Sequence, residues 1–162
     1  MHYVVVLQLL ALLALANGSP IVVKWMFGNK GAWPLDGNMK FIDGQRLFGK
    51  SKTIRGIVVS LFITSACAPL LGLTAPIGLL VAGIAMGGDL FSSFIKRRLG
   101  LPPGGKATGL DQIPESLFPL LACRQVLALT ALDIIAGTAI FVVGAIMLSR
   151  LLFELHMRER PY

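Results

Sequence analysis

Residues 86–112 combine the end of an apolar helix with acidic, hydroxyl and basic side chains. The segment MGGDLFSSFIKRRLGLPPGGKATGLDQ places Asp89, Ser92, Ser93 and Lys96 three or four residues apart. Residues at this spacing share one face of a helix, so we expect them to line one wall. Carboxylates are hard oxygen ligands of the kind Mg²⁺ prefers, and lysine or arginine neutralises phosphate. The segment therefore predicts a site for a divalent cation and phosphate groups.

Three further charged residues extend this predicted site. Arg97 and Arg98 follow Lys96 at the helix end, and Asp111 lies beyond a turn rich in glycine and proline. Asp89 lies roughly two turns inside the apolar segment, where an ionisable side chain is costly and indicates function. The alternative for Asp89 is a structural ion pair, and for the basic residues it is anchoring at a membrane boundary.

A second polar segment, residues 28–56, ends in GKSKTIRG. Lys52, Thr53 and Arg55 lie where the next apolar helix is predicted to begin, and the free N–H groups of a helix start favour anions. We predict that these three residues bind phosphate, with anchoring at the membrane boundary as the alternative for Lys52 and Arg55, whereas Lys50 is interpreted as a membrane anchor. The segment lacks the spacing and the preceding strand of a P-loop, which excludes that motif.

Three weaker candidates lie elsewhere in the chain. Asp36 and Asp43 each precede a glycine, a pairing typical of turns, which makes them weaker candidates for the site. Asn17 opens the sequence Asn17-Gly18-Ser19-Pro20, which predicts a break within the first apolar segment. Such a break is tolerated only where it faces protein or a wet cavity, so Asn17 is a possible site residue, with a simple kink as the alternative.

These residues must be positioned by membrane helices, because the chain is 55% hydrophobic and only 14% charged. A soluble domain of this size would carry roughly 25% charged residues. The apolar runs predict one all-α integral membrane domain over residues 1–162, with five transmembrane helices and two long cytoplasmic loops. The predicted spans are residues 3–27 (uncleaved), 56–73, 76–95 and the two parts of 113–153, which divide near Thr130–Asp133.

The net charge of +7 has a distribution that indicates membrane orientation rather than nucleic-acid binding. If the N-terminus is outside, 14 of the 15 lysines and arginines lie inside or at the inner boundary, and Arg124 is the exception. This is the positive-inside bias. It predicts a multi-pass protein of the cell membrane with a cytoplasmic C-terminus and a site that faces the cytoplasm. Cys67 and Cys123 are predicted to be small buried apolar residues.

Together, these motifs resemble a known enzyme family. GGDLFSSFIKRR, a glycine-containing turn and LDQIP are similar to the signature of the CDP-archaeol synthase family, a relative of CDP-diacylglycerol synthase. PLDG and IDGQRLFGKSKTIRG resemble that family's first cytoplasmic loop, so the resemblance covers nearly the whole chain. One departure is that the relatives' Gly-Gly-x-x-Asp-Arg stretch appears here as Gly-Leu-Asp111-Gln112, so only Asp111 is carried over.

The resemblance implies a CTP-dependent nucleotidyltransferase of phospholipid biosynthesis that requires magnesium. CTP would react with unsaturated archaetidic acid, a glycerol phosphate with two ether-linked chains, to give a CDP-archaeol-type lipid and pyrophosphate. Partners are then CTP, the lipid phosphate and membrane lipids, and no nucleic acid. The expected catalytic residues are Asp89, Lys96 and Asp111, with Mg²⁺ on the two aspartates; the expected phosphate-binding residues are Lys52, Thr53, Arg55, Ser92, Ser93 and Arg97.

Two other functions fit part of the sequence. A transporter of ions or small solutes would use an intramembrane Asp89, and an assembly factor would need no chemistry. A transporter does not explain why both polar loops fall on one side of the predicted membrane, and an assembly factor would leave Asp89 and Asp111 without a role. Because the second and third spans are joined by a short turn, we expect their inner ends to be close, with Lys52 and Arg55 facing Lys96 and Arg97 in one site.

Overall fold

The fold was derived from a computed structural model that describes residues 2–102 and 109–154. Over these residues the only strand-like pairings are two isolated bridges, Pro34 with Thr53 and Lys40 with Arg46. The predicted all-α class is therefore confirmed. The helices are α1 (Tyr3–Phe27), α2 (Ile54–Cys67), α3 (Ala75–Arg98), α4 (Gln112–Ala122) and α5 (Ala131–Glu154), with a short 3₁₀ turn at Pro69–Leu71.

Three of the five helices are long and apolar enough to cross a membrane: α1, α3 and the Ala131–Leu151 part of α5. The other two are shorter than the spans predicted for them. With 14 residues in α2 and 11 in α4, they rise roughly 21 and 16 Å, against the roughly 30 Å of a bilayer core. The chain leaves α2 before the 3₁₀ turn that starts at Pro69, and α4 ends just before Arg124.

The helices pack around α3, which contacts α1, α2 and α4, while α4 also contacts α5. Small residues set the closest approaches. A Cβ added at Gly78 would lie 2.7 Å from the Cβ of Ala68, and one at Gly88 would lie 2.4 Å from the carbonyl oxygen of Pro114. Such contacts need glycine, as at many membrane helix interfaces. The buried core includes Leu9, Leu12 and Leu13 of α1, Val81, Ala82 and Ala85 of α3, and Leu120 of α4.

The predicted break in α1 does not occur, because the helix continues through Pro20. Proline has no N–H to offer to the carbonyl of the residue four positions earlier, which here is Ala16. Ser60 of α2 donates to that carbonyl instead, at 2.8 Å, in a buried hydrogen bond. Asn17 Nδ2 donates to the carbonyl oxygen of Leu13 at 3.1 Å. Neighbouring groups thus satisfy the backbone and hold the helix intact.

One end of the helices carries the N-terminus, the α2–α3 turn and the start of α5. The backbone N–H of His2 donates to Asp133 Oδ1 at 2.8 Å, and Gln8 Nε2 donates to the carbonyl oxygen of Leu71 at 2.6 Å. The opposite end carries the first polar loop (residues 28–53) and the second polar loop (residues 99–111), of which residues 103–108 lie outside the described part. Both polar loops therefore meet at the same end.

Candidate active site

The first polar loop is organised around Asp36, which is fully buried. Its carboxylate accepts hydrogen bonds from Arg46, at 2.5 and 3.2 Å, and from the backbone N–H groups of Asn38, Phe48 and Gly49. Burial raises the pKa of Asp36, but these donors, Arg46 first, outweigh it and hold the pKa below its usual range. Both carboxylate oxygens of Asp36 are therefore hydrogen-bonded within the loop, and the residue stabilises the loop conformation.

Arg98 attaches this loop to the end of α3. Its guanidinium carbon lies 4.8 Å from the ring centroid of Phe41 and 4.9 Å from that of Phe94, and its Nη2 donates to the carbonyl oxygen of Arg46 at 2.9 Å. Arg98 Nε also lies 3.0 Å from Asp43 Oδ2. Asp43 is therefore paired at the loop–helix junction, and neither it nor Asp36 lines the cavity described next.

A cavity of about 1590 Å³ opens between the two polar loops and the facing sides of α1 and α5. Its polar wall contains nine of the residues predicted from the sequence. They are Asn17, Lys52, Thr53, Arg55, Asp89, Ser93, Lys96, Arg97 and Asp111. Its apolar wall includes Leu10, Ala14 and Ile21 of α1 and Ile140, Phe141 and Leu148 of α5. The cavity thus offers charged groups and an apolar surface to one ligand.

Lys52 and Asp89 form the first ion pair in this cavity. Lys52 Nζ donates to both carboxylate oxygens, at 2.5 Å for Oδ1. Burial lowers the pKa of Lys52, but the carboxylate of Asp89, followed by that of Glu115, outweighs burial and raises it. Lys52 is therefore a cation at neutral pH, although it lies between helices.

Lys96 and Asp111 form the second ion pair, with Nζ 2.7 Å from Oδ1. The two atoms are close but lack hydrogen-bond angles, and Asp111 Oδ1 has no other hydrogen-bond partner among the described residues. Arg97 Nη2 donates to the carbonyl oxygen of Pro102 at 3.0 Å, while its buried Nε is likewise unpartnered within the described part of the chain. Among the described residues, Arg97 Nε therefore has no partner, whereas Asp111 Oδ1 is engaged by the ion pair with Lys96.

Other predicted phosphate-binding residues have local structural contacts. Thr53 caps α2 by accepting a hydrogen bond from Gly56 N at 3.1 Å. Arg55 Nη2 donates to the carbonyl oxygen of Gly28 at 2.7 Å, which joins the start of α2 to the end of α1. Ser92 Oγ donates to the carbonyl oxygen of Asp89 at 3.0 Å and does not line the cavity. Ser92 is thus turned away from the wall on which it was predicted.

Comparison with known proteins decides the family. A family model described as CarS-like, CDP-archaeol synthase, matches residues 3–162. The chain belongs to the CDP-archaeol synthase family. The CDP-archaeol synthase of Saccharolobus islandicus is 36% identical over 135 residues, which cover 80% of this chain and 75% of that protein. That of Pyrococcus furiosus is 40% identical over 107 residues, 60% of each chain.

A solved structure, described as an intramembrane enzyme for archaeal membrane lipids biosynthesis, is also similar. It has a TM-score of 0.74 and 30% sequence identity, and the match covers 86% of this chain and 89% of that one. With the family match, this confirms the predicted class, a membrane-embedded nucleotidyltransferase of lipid biosynthesis. Nothing in these comparisons supports the transporter alternative.

The cavity contains one acidic residue that the sequence prediction missed, Glu115, which directly follows the LDQIP segment. It lines the cavity and shares a hydrogen bond with Asp89. Gly88 makes this possible, because the backbone of Pro114 and Glu115 packs where a Cβ would otherwise stand. The sequence spacing could have identified this residue, because Glu115 follows Asp111 by four residues and shares its helical face.

The carboxylates of the cavity are of a type that could hold a magnesium ion together with substrate phosphates. Asp89, Asp111 and Glu115 line one cavity, and Asp111 Oδ1 is buried without a hydrogen-bond partner among the described residues. In residues 2–102 and 109–154 no three His, Cys, Asp or Glu side chains are close enough to form a complete metal site. Mg²⁺ is commonly held by one or two carboxylates together with substrate phosphates and water, so a smaller protein donor set suffices.

Proposed function

We propose that this chain transfers the cytidylyl group of CTP to an ether-lipid phosphate, unsaturated archaetidic acid. A phosphate oxygen of the lipid attacks the α-phosphorus of CTP. The bond from the α-phosphorus to the oxygen that bridges it to the β-phosphate then breaks, which gives the CDP-lipid and pyrophosphate. The observation that supports this best is the single cavity in which two Lys–Asp pairs adjoin apolar walls of α1 and α5.

Lys52, Lys96 and Arg97 bind the phosphates in this proposal. CTP and the lipid phosphate are both anions, so a site that brings them together must supply positive charge. Lys52 is held in its cationic form by neighbouring carboxylates, and Arg97 Nε is unpartnered among the described residues. The attacking phosphate oxygen is already ionised near pH 7 and needs no general base. Catalysis therefore comes from positioning and charge stabilisation.

Asp89 and Asp111, with Glu115 beside them, are the groups proposed to hold Mg²⁺. Bound there, the ion would neutralise phosphate charge and orient the reacting groups. The same carboxylates are paired with Lys52 and Lys96 in the structure. If Mg²⁺ were held by either aspartate, the paired lysine would become available to bind a substrate phosphate.

The apolar wall of the cavity is proposed to receive the lipid chains. Residues from α1 and α5 form this wall, and both helices are long and apolar enough to cross a bilayer. A lipid phosphate whose chains lie along this wall would present its headgroup to the polar end of the cavity. CTP would reach the same end from the water beside the polar loops.

We further propose five crossings, with the N-terminus outside and the site facing the cytoplasm. Asp133 at the start of α5 pairs with His2 at the N-terminal end, whereas Asp111 pairs with Lys96 at the polar-loop end. The chain must therefore traverse the protein between residues 111 and 133, with α4 supplying part of that path. The cation distribution favours the polar-loop end as cytoplasmic. Labelling of Lys40→Cys from the outer side would reverse this orientation.

Product analysis tests the reaction directly. Purified protein in vesicles receives CTP labelled at its α-phosphate, Mg²⁺, and a mixture of ether-linked and ester-linked lipid phosphates. The expected result is a labelled CDP-ether lipid identified by mass spectrometry, with release of pyrophosphate and loss of both in Asp89→Asn. Absence of any CDP-lipid from folded wild type would contradict the proposal. Formation of CDP-ester lipid alone would contradict the assigned substrate.

A further inference from the structure

The first polar loop contains a short hairpin whose tip exposes an isoleucine. Phe41 N donates to the carbonyl oxygen of Gln45 at 2.8 Å, and Gly44 takes a positive φ of 77° that closes the turn. Ile42 at this tip is 95% exposed. A single exposed apolar side chain is ordinary on a protein surface, so it indicates a binding function only if the residues around it support one.

The hairpin lies beside an exposed apolar part of α3. The ring of Phe41 packs edge-on against that of Phe94, with centroids 5.4 Å apart. Phe91 precedes Phe94 by three residues on the same helical face and is 48% exposed, and Leu99, just past the helix end, is 65% exposed. Apolar surface therefore continues from a helix that is able to cross the membrane onto the hairpin tip.

The charges near the tip suit an anionic surface. Lys40 is exposed next to the aromatic residue that contacts α3. The acid at the tip, Asp43, is paired with Arg98, 3.0 Å away. Trp25 at the end of α1 is 58% exposed, and tryptophan at the end of a membrane helix commonly lies at the headgroup level. Basic residues beside an exposed apolar side chain are typical of segments that lie in the membrane interface.

We propose that the hairpin tip, residues 40–43, is an interfacial anchor that inserts Ile42 among the headgroups of the surrounding bilayer. Lys40 then lies at the lipid phosphates. The proposal depends on α3 being in a membrane and is independent of the cytidylyl transfer reaction. Its structural consequence follows from Asp36, which hydrogen-bonds both Arg46 of the hairpin and Gly49 beside the cavity. An anchored tip therefore fixes the height of the cavity wall relative to the lipid phosphates.

Fluorescence in vesicles tests the anchor. Ile42→Cys is made with Cys67 and Cys123 replaced by alanine, labelled with a nitrobenzoxadiazole dye and reconstituted into vesicles of phosphatidylcholine and phosphatidylglycerol. Ser51→Cys is the matched control, because Ser51 is exposed in the same loop but faces the cavity. The dye at position 42 is expected to emit at shorter wavelength and to lose most of its emission when the lipids carry a nitroxide near the headgroup. The dye at position 51 is expected to emit as in water.

Water-like emission at both positions, with no quenching by nitroxide lipid, would overturn the proposal. A second measurement avoids replacing the native cysteines: a benzophenone amino acid is placed at position 42 in otherwise native protein and irradiated in the same vesicles. A covalent lipid adduct found by mass spectrometry supports the anchor. Crosslinking to a second copy of the chain without lipid adducts identifies a protein contact and rejects it, and no adduct of either kind rejects it as well.

Discussion

Gly88→Ala should separate α3 from α4 and disable the site, although Gly88 carries no chemistry. The new Cβ would lie 2.4 Å from the carbonyl oxygen of Pro114, 2.6 Å from its carbon and 3.0 Å from the backbone nitrogen of Glu115. Backbone cannot rotate away as a flexible side chain can. To reach ordinary contact at about 3.4 Å, α4 must move by about 1 Å.

Two effects of this displacement can be estimated. Overpacking of this kind costs about 1–3 kcal/mol of stability. A displacement of about 1 Å in positioned groups lowers a reaction rate by on the order of 100-fold. The groups displaced here are Glu115, which bonds Asp89, and Asp111, which pairs with Lys96. We therefore expect a large loss of turnover with a smaller loss of stability.

The matched control is Gly87→Ala, one residue earlier in the same helix. A Cβ at Gly87 meets nothing within 4 Å, and alanine favours a helix interior by about 1 kcal/mol over glycine. CDP-lipid formation and thermal unfolding are measured for both variants in the same detergent. The reasoning is refuted if Gly88→Ala turns over as fast as Gly87→Ala, since the close helix contact would then not position the acids.

Three further predictions follow from other contacts. Asp89→Asn should reduce CDP-lipid formation by at least about 100-fold and abolish its response to magnesium titration, while circular dichroism shows a folded helical protein. Near-normal turnover would remove Asp89 from the proposed metal site. Ser60→Ala should lower the free energy of unfolding by about 1–3 kcal/mol, because it leaves the Ala16 carbonyl unpaired. Adding Pro20→Ala should recover part of that loss by restoring an N–H, and no recovery in the melting temperature would contradict the explanation. Asp36→Asn should destabilise the protein at neutral pH. The folded carboxyl has a lowered pKa, so it stabilises the fold above its ordinary pKa of 3.8 and loses this effect as the pH falls further. The difference in melting temperature between wild type and Asp36→Asn should therefore shrink below that pH, and a constant difference would exclude the ionised carboxylate as its source.

The sequence predicts the long helices well because each is a continuous apolar run. Hydropathy counts apolar residues, however, and does not show where the backbone leaves the helix. The runs that contain α2 and α4 therefore predicted longer helices than those observed. The continuity of α1 depends on a hydrogen bond from Ser60 to Ala16, 44 residues apart, and no local pattern around Pro20 contains that information.

The candidate site likewise contains some features that the sequence predicts and others that depend on tertiary contacts. The spacing of Asp89, Ser93 and Lys96 within one helix places them on a common wall, as observed. Glu115 reaches Asp89 only because two helices meet at a glycine, which is a tertiary contact. Ser92 and Thr53 have hydroxyls that satisfy nearby backbone groups, and residue type alone does not distinguish that role from ligand binding.

The paired charges of the cavity have a consequence beyond metal binding. A lysine that is buried without a partner has a lowered pKa and loses its charge, which would remove one of the cations proposed to attract phosphate. Asp89 and Glu115 reverse this for Lys52 and keep it cationic before any substrate arrives. In the proposed function, an entering phosphate would supply the negative charge that the carboxylate had supplied, so the lysine would remain charged and the aspartate would become available to a metal. In the proposed function the acids therefore serve both parts of the site, because they keep Lys52 charged for the nucleotide phosphates and would themselves supply oxygen ligands to Mg²⁺.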